Sequence, residues 1–249
     1  MNIDTYLARI GYTGPLIPSA ETLRALHLAH LQSVPFENLD ISRGRKIALD
    51  ENAFVWKIVQ ERRGGFCYEL NGAFAALLRS LGFRVTLLSA RVPGTDGSNG
   101  FEYDHLTLRV DLDEPWLADV GFGDSFLQPL LLKIGLEQKQ ADRTYRIVET
   151  GERLALERLQ PDGKWKLEYD FTLQPRELNE FAGMCHYHQT SPESHFTRKR
   201  VCTRATPDGR ITVADSKLII TRNGAREEMP ISSESEWNRA LQEHFGIVL

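Results

Sequence analysis

Cys67 is the residue in this sequence best placed to act as a nucleophile. It follows a Gly64-Gly65 turn and opens a helical pattern with Leu70, Phe74, Leu77, Leu78 and Leu81 on one face. Three residues back from Leu70 that face reaches Cys67, which predicts a sulfur turned inward. The free N–H groups and positive dipole end of a helix favour a thiolate, the attacking form of cysteine. The two glycines let a substrate approach the backbone. Taken alone, the stretch also reads as an ordinary buried cysteine beside a capping Gly-Gly pair.

A cysteine nucleophile needs a base, and the base needs an acceptor that orients it. His105 and Asp119 suit these roles on adjacent predicted strands joined by Asp111-Leu112-Asp113-Glu114-Pro115. A loop of three or five residues, symmetric about Leu112, puts His105 directly opposite Asp119 on one sheet face, with Cβ atoms roughly 4.5–5.5 Å apart. Asp119 stands in an apolar run from Trp116 to Val120, where an unpaired charge is costly. The competing reading makes Asp119 a turn cap and His105 a polar residue on an exposed strand face. A one-residue error in the loop would favour it.

The elements that must position these residues fall into three segments: 1–82 helical, 83–175 β, and 176–249 mixed. The first holds a helix from Asp4 to Ile10 stopped by Gly11 and one from Ala20 to about Ser33 capped by Ser19. An irregular stretch follows, Pro35 to Asp40, with one exposed-looking aromatic. Asp50 then caps a helix from Glu51 to Arg62, and Gly82 closes the Cys67 helix. Strands are predicted at 84–92, 103–110, 116–121, 143–149, 153–159 and 164–171, with a loop over 93–100 and a turn at Pro161-Asp162-Gly163. They read as a mostly antiparallel sheet or barrel. The last segment carries a short helix from Leu178 to Met184, strands at 200–204, 210–214 and 217–221, and an Asn223-Gly224 hairpin turn. A Ser233/Glu236 capping box opens the final helix, which Gly246 closes.

Composition narrows the function classes. At 249 residues and 41% hydrophobic content the chain can bury a sizeable core, and a net charge of −4 gives no basic field for nucleic acid. Apolar runs fall far short of the ~20 residues that span a membrane, and the N-terminus lacks a signal-peptide pattern. Three cysteines argue against a disulfide framework and predict a reducing, cytoplasmic setting. Cys185, His186, His188 and Cys202 could together offer four metal ligands. Their spacing fits no common zinc pattern, and on a strand Cys185 would face away from both histidines, so no metal is expected.

Several motifs now stand in order: Pro35-Phe36-Glu37-Asn38-Leu39; Arg63-Gly64-Gly65-Phe66-Cys67-Tyr68-Glu69-Leu70-Asn71-Gly72; His105; Asp119-Val120-Gly121-Phe122-Gly123; and Ser191-Pro192-Glu193-Ser194-His195-Phe196. Together they resemble the arylamine N-acetyltransferase family over nearly the whole chain. The resemblance implies an α+β fold: an N-terminal helical bundle, a central antiparallel β-barrel and a C-terminal α/β lid around a cysteine-protease-like core. It implies ping-pong acetyl transfer in xenobiotic metabolism, with no permanently bound cofactor and acetyl-CoA as co-substrate. The acceptors would be small aromatic amines, hydrazines or N-hydroxyarylamines.

By motif position Cys67 is the nucleophile, His105 the base and Asp119 its orienter. Phe36, Phe122 and Phe196 match the family's acceptor-pocket aromatics, while Arg63, Glu69 and Asn71 match residues that brace the site. For CoA phosphates the densest basic cluster is Arg198, Lys199 and Arg200, which also reads as a solvated charge run. Many relatives carry a longer tail, so an end at Leu249 is expected to leave the cleft more open. Two alternatives stand beside this reading. One is an amide synthase or other papain-like acyl transfer from a different donor. The other is a non-catalytic binding module, against which the joint presence of Cys67, His105 and Asp119 argues. The sequence sets neither the oligomeric state, nor the natural amine, nor the acyl chain length.

Overall fold

Helix caps and apolar stripes place the N-terminal elements close to where the sequence predicts them. A computed structural model describes residues 2–94, 98–141 and 143–249, so residues 95–97 of the predicted 93–100 loop lie outside the described residues. The first elements are α1 (Ile3–Ile10), α2 (Ala20–Ser33), β1 (Phe36–Glu37), α3 (Leu39–Ser42), α4 (Glu51–Val59) and α5 (Cys67–Ser80). Ser19 Oγ accepts from the Thr22 N–H and Asp50 Oδ1 from the Ala53 N–H, as N-caps do. α4 stops at Val59, short of the predicted Arg62, and Arg62 takes a left-handed φ of 52° that turns the chain toward α5. Gly64 is required there by space: a Cβ would overlap the Pro35 carbonyl oxygen. At the other end of α5, Gly82 has a φ of 91° and the Phe83 N–H reaches Leu78 O at 3.0 Å.

Eight strands follow: β2 (Arg84–Arg91), β3 (His105–Asp111), β4 (Pro115–Ala118), β5 (Leu130–Leu131), β6 (Gln138–Gln140), β7 (Arg143–Thr150), β8 (Arg153–Leu159) and β9 (Trp165–Phe171). They form one sheet in the order β5-β4-β3-β2-β9-β8-β7-β6. Its two edges are joined by side chains. Gln138 exchanges two hydrogen bonds with the Leu131 backbone, and Gln140 Oε1 accepts from the N–H groups of Leu127 and Gln128. The sheet is thereby a nearly closed barrel. β3 serves two cores. Leu106, Leu108 and Val110 pack on the helices, while Thr107 and His105 turn toward Tyr169 in the barrel.

The last segment opens with a 3-10 turn (Leu178–Phe181) that runs into α6 (Ala182–Thr190). Then come α7 (His195–Arg198), β10 (Val201–Thr206), β11 (Gly209–Ala214), β12 (Lys217–Arg222), β13 (Ala225–Pro230) and α8 (Glu234–Phe245). α6 extends well past the predicted helix end at Met184, because Cys185 and His188 gain burial on one helical face that local propensity alone does not reveal. Asn223 and Gly224, with φ of 50° and 82°, make the predicted hairpin turn. The second sheet has the order β1-β10-β11-β12-β13. Pro35–Asp40, predicted irregular, thus supplies an edge strand to the last segment, with Phe36 opposite Thr203 and Glu37 opposite Cys202. Two residues are too few to carry a strand period. Among the described residues no helix is long and apolar enough to cross a membrane.

Candidate active site

Cys67 is the first residue of α5, His105 the first of β3, and Asp119 follows directly on β4. His105 Nε2 lies 2.6 Å from Asp119 Oδ2, and both side chains are buried. The pairing differs from the direct opposition the sequence suggested. Leu108 stands opposite Ala118 and Asp111 opposite Pro115, so the turn is centred on Asp113 and not on Leu112. Continued outward, that register sets Asp119 across from Thr107, two residues from His105. A two-residue offset keeps both side chains on one face, and they meet diagonally. The face is buried against the barrel interior, which removes the reading of His105 as an exposed polar residue.

Asp119 is held on every side. Asn71 Nδ2 donates to its Oδ1 at 2.9 Å and to Leu106 O at 2.6 Å, and the Gly121 N–H also reaches Oδ1 at 2.9 Å. The Asp119 N–H donates to His27 Nε2 at 3.1 Å, so His27 carries its proton on Nδ1, which donates to Leu127 O at 2.9 Å. Burial pushes His27 down to about 4, leaving it neutral. Burial would raise the Asp119 carboxyl, but the His105 charge and the hydrogen bonds from His105, Asn71 and Gly121 hold it below its ordinary value. With Nε2 committed to Asp119, Nδ1 is the ring nitrogen left to take a proton from a nucleophile.

Cys67 is 3% exposed. Burial pushes its thiol well above the ordinary range; a hydrogen bond from the Leu106 backbone lowers it, and the charges of Asp104, Cys185 and Asp119 oppose a thiolate further. The activation expected from the helix N-terminus is therefore outweighed by desolvation. Gly121 lets the chain leaving β4 cross the start of α5: a Cβ there would sit 2.9 Å from Cys67 Cα and 2.7 Å from Asn71 Nδ2.

The three predicted pocket aromatics are all half-buried and form two walls. Phe36 and Phe196 stand 6.2 Å apart, with Phe66 edge-on to Phe196 at 5.9 Å. Phe122 instead packs edge-on against His105 at 5.3 Å, beside Tyr169. Beneath them Arg63 and Glu69 belong to a buried ion cluster. Lys57 Nζ lies 2.8 Å from both Glu69 and Asp40, and Arg63 Nη2 lies 2.8 Å from Glu37 and 3.1 Å from Asp40. Glu69 Oε2 also accepts the Phe66 N–H at 3.1 Å and so caps α5. Burial raises Glu69 to about 7 against the attraction of Lys57. Glu37, Asp40 and Lys57 were not identified from the sequence. The available signal was Lys57 at i+3 from Phe54, on the inward stripe of α4.

The sequence and the fold have known relatives. The N-acetyltransferase family model matches residues 19–249. The chain is 36% identical to the chicken (Gallus gallus) arylamine N-acetyltransferase, pineal gland isozyme NAT-3, covering 100% of this chain and 95% of that protein. The chain belongs to the arylamine N-acetyltransferase family. A further relative of that name, from Mycolicibacterium smegmatis, is 36% identical over 100% of this chain and 93% of its own. The structure of the Mycobacterium marinum family member in complex with CoA superposes with a TM-score of 0.92 at 32% identity, covering 99% of this chain and 93% of that one.

Two further groups of sequence-predicted residues lie outside the Cys67, His105 and Asp119 cluster. Each cation proposed for CoA has a partner of its own. Arg200 makes two bonds to Glu234 and lies over the Trp237 ring, Lys199 is 3.9 Å from Asp215, and Arg198 donates to Glu193 O. The Cys185–His188 stretch is helix and not strand, which reverses the predicted facing: Cys185 and His188 share the buried side and His186 points out. Cys202 belongs to a different core, with Val213 and Trp237. Among the described residues no three His, Cys, Asp or Glu side chains group to hold a metal ion. A cavity of about 670 Å³ opens between residues 41–49 and α6 but includes neither Cys67, His105 nor Asp119, so size alone does not mark the site.

Proposed function

We propose that the protein transfers an acetyl group from acetyl-CoA to the nitrogen of arylamines, arylhydrazines or N-hydroxyarylamines through an acetyl-thioester on Cys67. The buried 2.6 Å contact between His105 Nε2 and Asp119 Oδ2 carries this reading, because it leaves Nδ1 to serve the thiol at the α5 N-terminus. His105 takes the Cys67 proton and the thiolate attacks the thioester carbonyl. Free N–H groups in the first turn of α5 stabilise the oxyanion. The carbon–sulfur bond to CoA breaks, and the imidazolium returns its proton to the departing thiolate. A neutral arylamine then attacks the acetyl-cysteine, His105 takes the amine proton, and Cys67 leaves as the thiol. In this reading Phe36, Phe122 and Phe196 hold the acceptor ring, and Arg63, Glu69 and Asn71 keep the α5 start rigid.

The three-unit division into 1–82, 83–175 and 176–249 belongs to the same proposal; the barrel interior has a cluster of its own, while the helical cluster also takes in Leu106, Leu108 and Val110 of β3 and Cys185 of α6, and the last-segment cluster takes in Leu39. A cytoplasmic location belongs to it too, supported by three unpaired thiols. For CoA phosphates, the Lys199 side chain is 70% exposed and that of Arg200 33%, so Lys199 is the more available of these two. The test is CoA release from acetyl-CoA across a panel of arylamines and hydrazines. Release stimulated by these amines, with parallel double-reciprocal plots, is the expected result. No stimulation by any amine would contradict it and favour another acyl acceptor.

A further inference from the structure

Asp104 and His188 form a second imidazole–carboxylate pair, one residue from the His105 base. His188 Nε2 lies 3.0 Å from Asp104 Oδ1 and Nδ1 lies 3.3 Å from Ser194 Oγ, and the ring is 3% exposed. With the Nε2 proton shared by Asp104 O, at 3.3 Å, beside the Oδ1 contact, Nδ1 accepts from the Ser194 hydroxyl. Ser194 Oγ in turn accepts from the Phe196 N–H at 3.3 Å and caps α7. A continuous hydrogen-bonded path therefore runs from the residue before His105 to the backbone of Phe196. The same imidazole meets the Phe196 ring edge-on, at 5.1 Å and 88°. The anchor is itself fixed, since Asp104 Oδ2 accepts the Val92 N–H and Asp104 O accepts the Tyr68 hydroxyl.

Acylation of Cys67 makes no use of this pair, because Asp119 already orients His105. Filling the space behind Phe196 needs only an apolar side chain, which would avoid the desolvation of a buried imidazole and carboxylate. What the pair adds is direction. α7 is four residues long and cannot hold itself in water. Phe36 and Phe66 touch Phe196 through ring contacts alone.

We propose that His188, held between Asp104 and Ser194, is a positioning residue for the acceptor half of the reaction, fixing α7 and the Phe196 ring against Phe36 so that an arylamine seats in one pose. This rests on the acyl-transfer reading above. In His188→Leu, the KM for 4-ethylaniline is expected to rise about tenfold. The burst of CoA released without amine is expected to change by less than about twofold. His188→Gln, whose side-chain amide can still donate to Asp104, is expected to recover most of the loss. Binding of 4-ethylaniline to the unacetylated protein, followed by saturation-transfer NMR, should weaken in parallel without any turnover. An unchanged KM and binding in folded His188→Leu overturns the proposal, as does an equal fall in both half-reactions. If His188→Leu does not fold, Ser194→Ala carries the same comparison. The wild-type CoA burst tests the acyl-transfer reading separately, and amine binding to the unacetylated protein tests this inference even where no burst is seen.

Discussion

At the residue scale the proposed mechanism requires one buried thiol to be made reactive by its neighbours. Burial raises Cys67 and the Asp119 charge raises it further, so in the proposed mechanism Asp119 acts only through the His105 imidazolium it pairs with. Asp119→Asn removes the compensating charge and offers an amide that can hold His105 in the wrong tautomer. Turnover is expected to fall by about three to four orders of magnitude with the fold retained. Iodoacetamide labelling of Cys67 in that variant should need higher pH than in the wild type. Near-normal arylamine acetylation would show that Asp119 is structural only. The buried helix-start position of Cys67 and the meeting of His105 with Asp119 were legible because helix period, strand alternation and a charge in an apolar run are local signals. His27 was not, because its contact with Asp119 joins residues 92 apart in the chain. The direct-opposition register was wrong by two residues, and the pair survived because strand facing repeats every two.

At the element scale the start of α5 stands on buried charges with opposing pH dependences. Glu69 is raised to about 7 from an ordinary 4.5, so the folded protein binds this proton more tightly than the unfolded chain. Its contribution is present below about pH 4.5 and is lost as pH rises through 7, by roughly 3 kcal/mol. His27 is lowered to about 4 from 6.5, so its contribution is present above about 6.5 and is lost as pH falls toward 4, by a similar roughly 3 kcal/mol. Between about pH 4.5 and 6.5 the two slopes oppose each other. Glu69→Gln should expose the His27 loss, giving a steeper fall in stability below pH 6.5 and no Glu69 decline toward pH 7. Denaturant unfolding of both proteins across this range checks it, and parallel pH profiles would contradict it. Lys57→Met, which leaves Arg63 alone among three carboxylates, should cost about 3–5 kcal/mol.

At the scale of the whole molecule the site depends on distant segments being tied together. Asn38, next to β1, donates to the carbonyls of Phe196 and Lys199 and accepts from the Val201 N–H. Asn38→Ala leaves these backbone groups unpaired and should cost about 3 kcal/mol, read as a lowered denaturation midpoint with faster proteolysis near 195–201. Caps, stripes and the Asn223-Gly224 turn made the separate helices and hairpins legible. The pairing of β1 with β10 and the glutamine-stitched barrel were not, because they join residues far apart in sequence. The barrel-and-lid arrangement came from the family resemblance.

The central claim is that Cys67 carries the acetyl group. Incubation with acetyl-CoA and no amine, then peptide mapping by mass spectrometry, should find one acetyl group on the Cys67 peptide. It should disappear on addition of an arylamine and be absent in Cys67→Ala. An acetyl group on another residue, or an undiminished adduct in Cys67→Ala, would contradict the account.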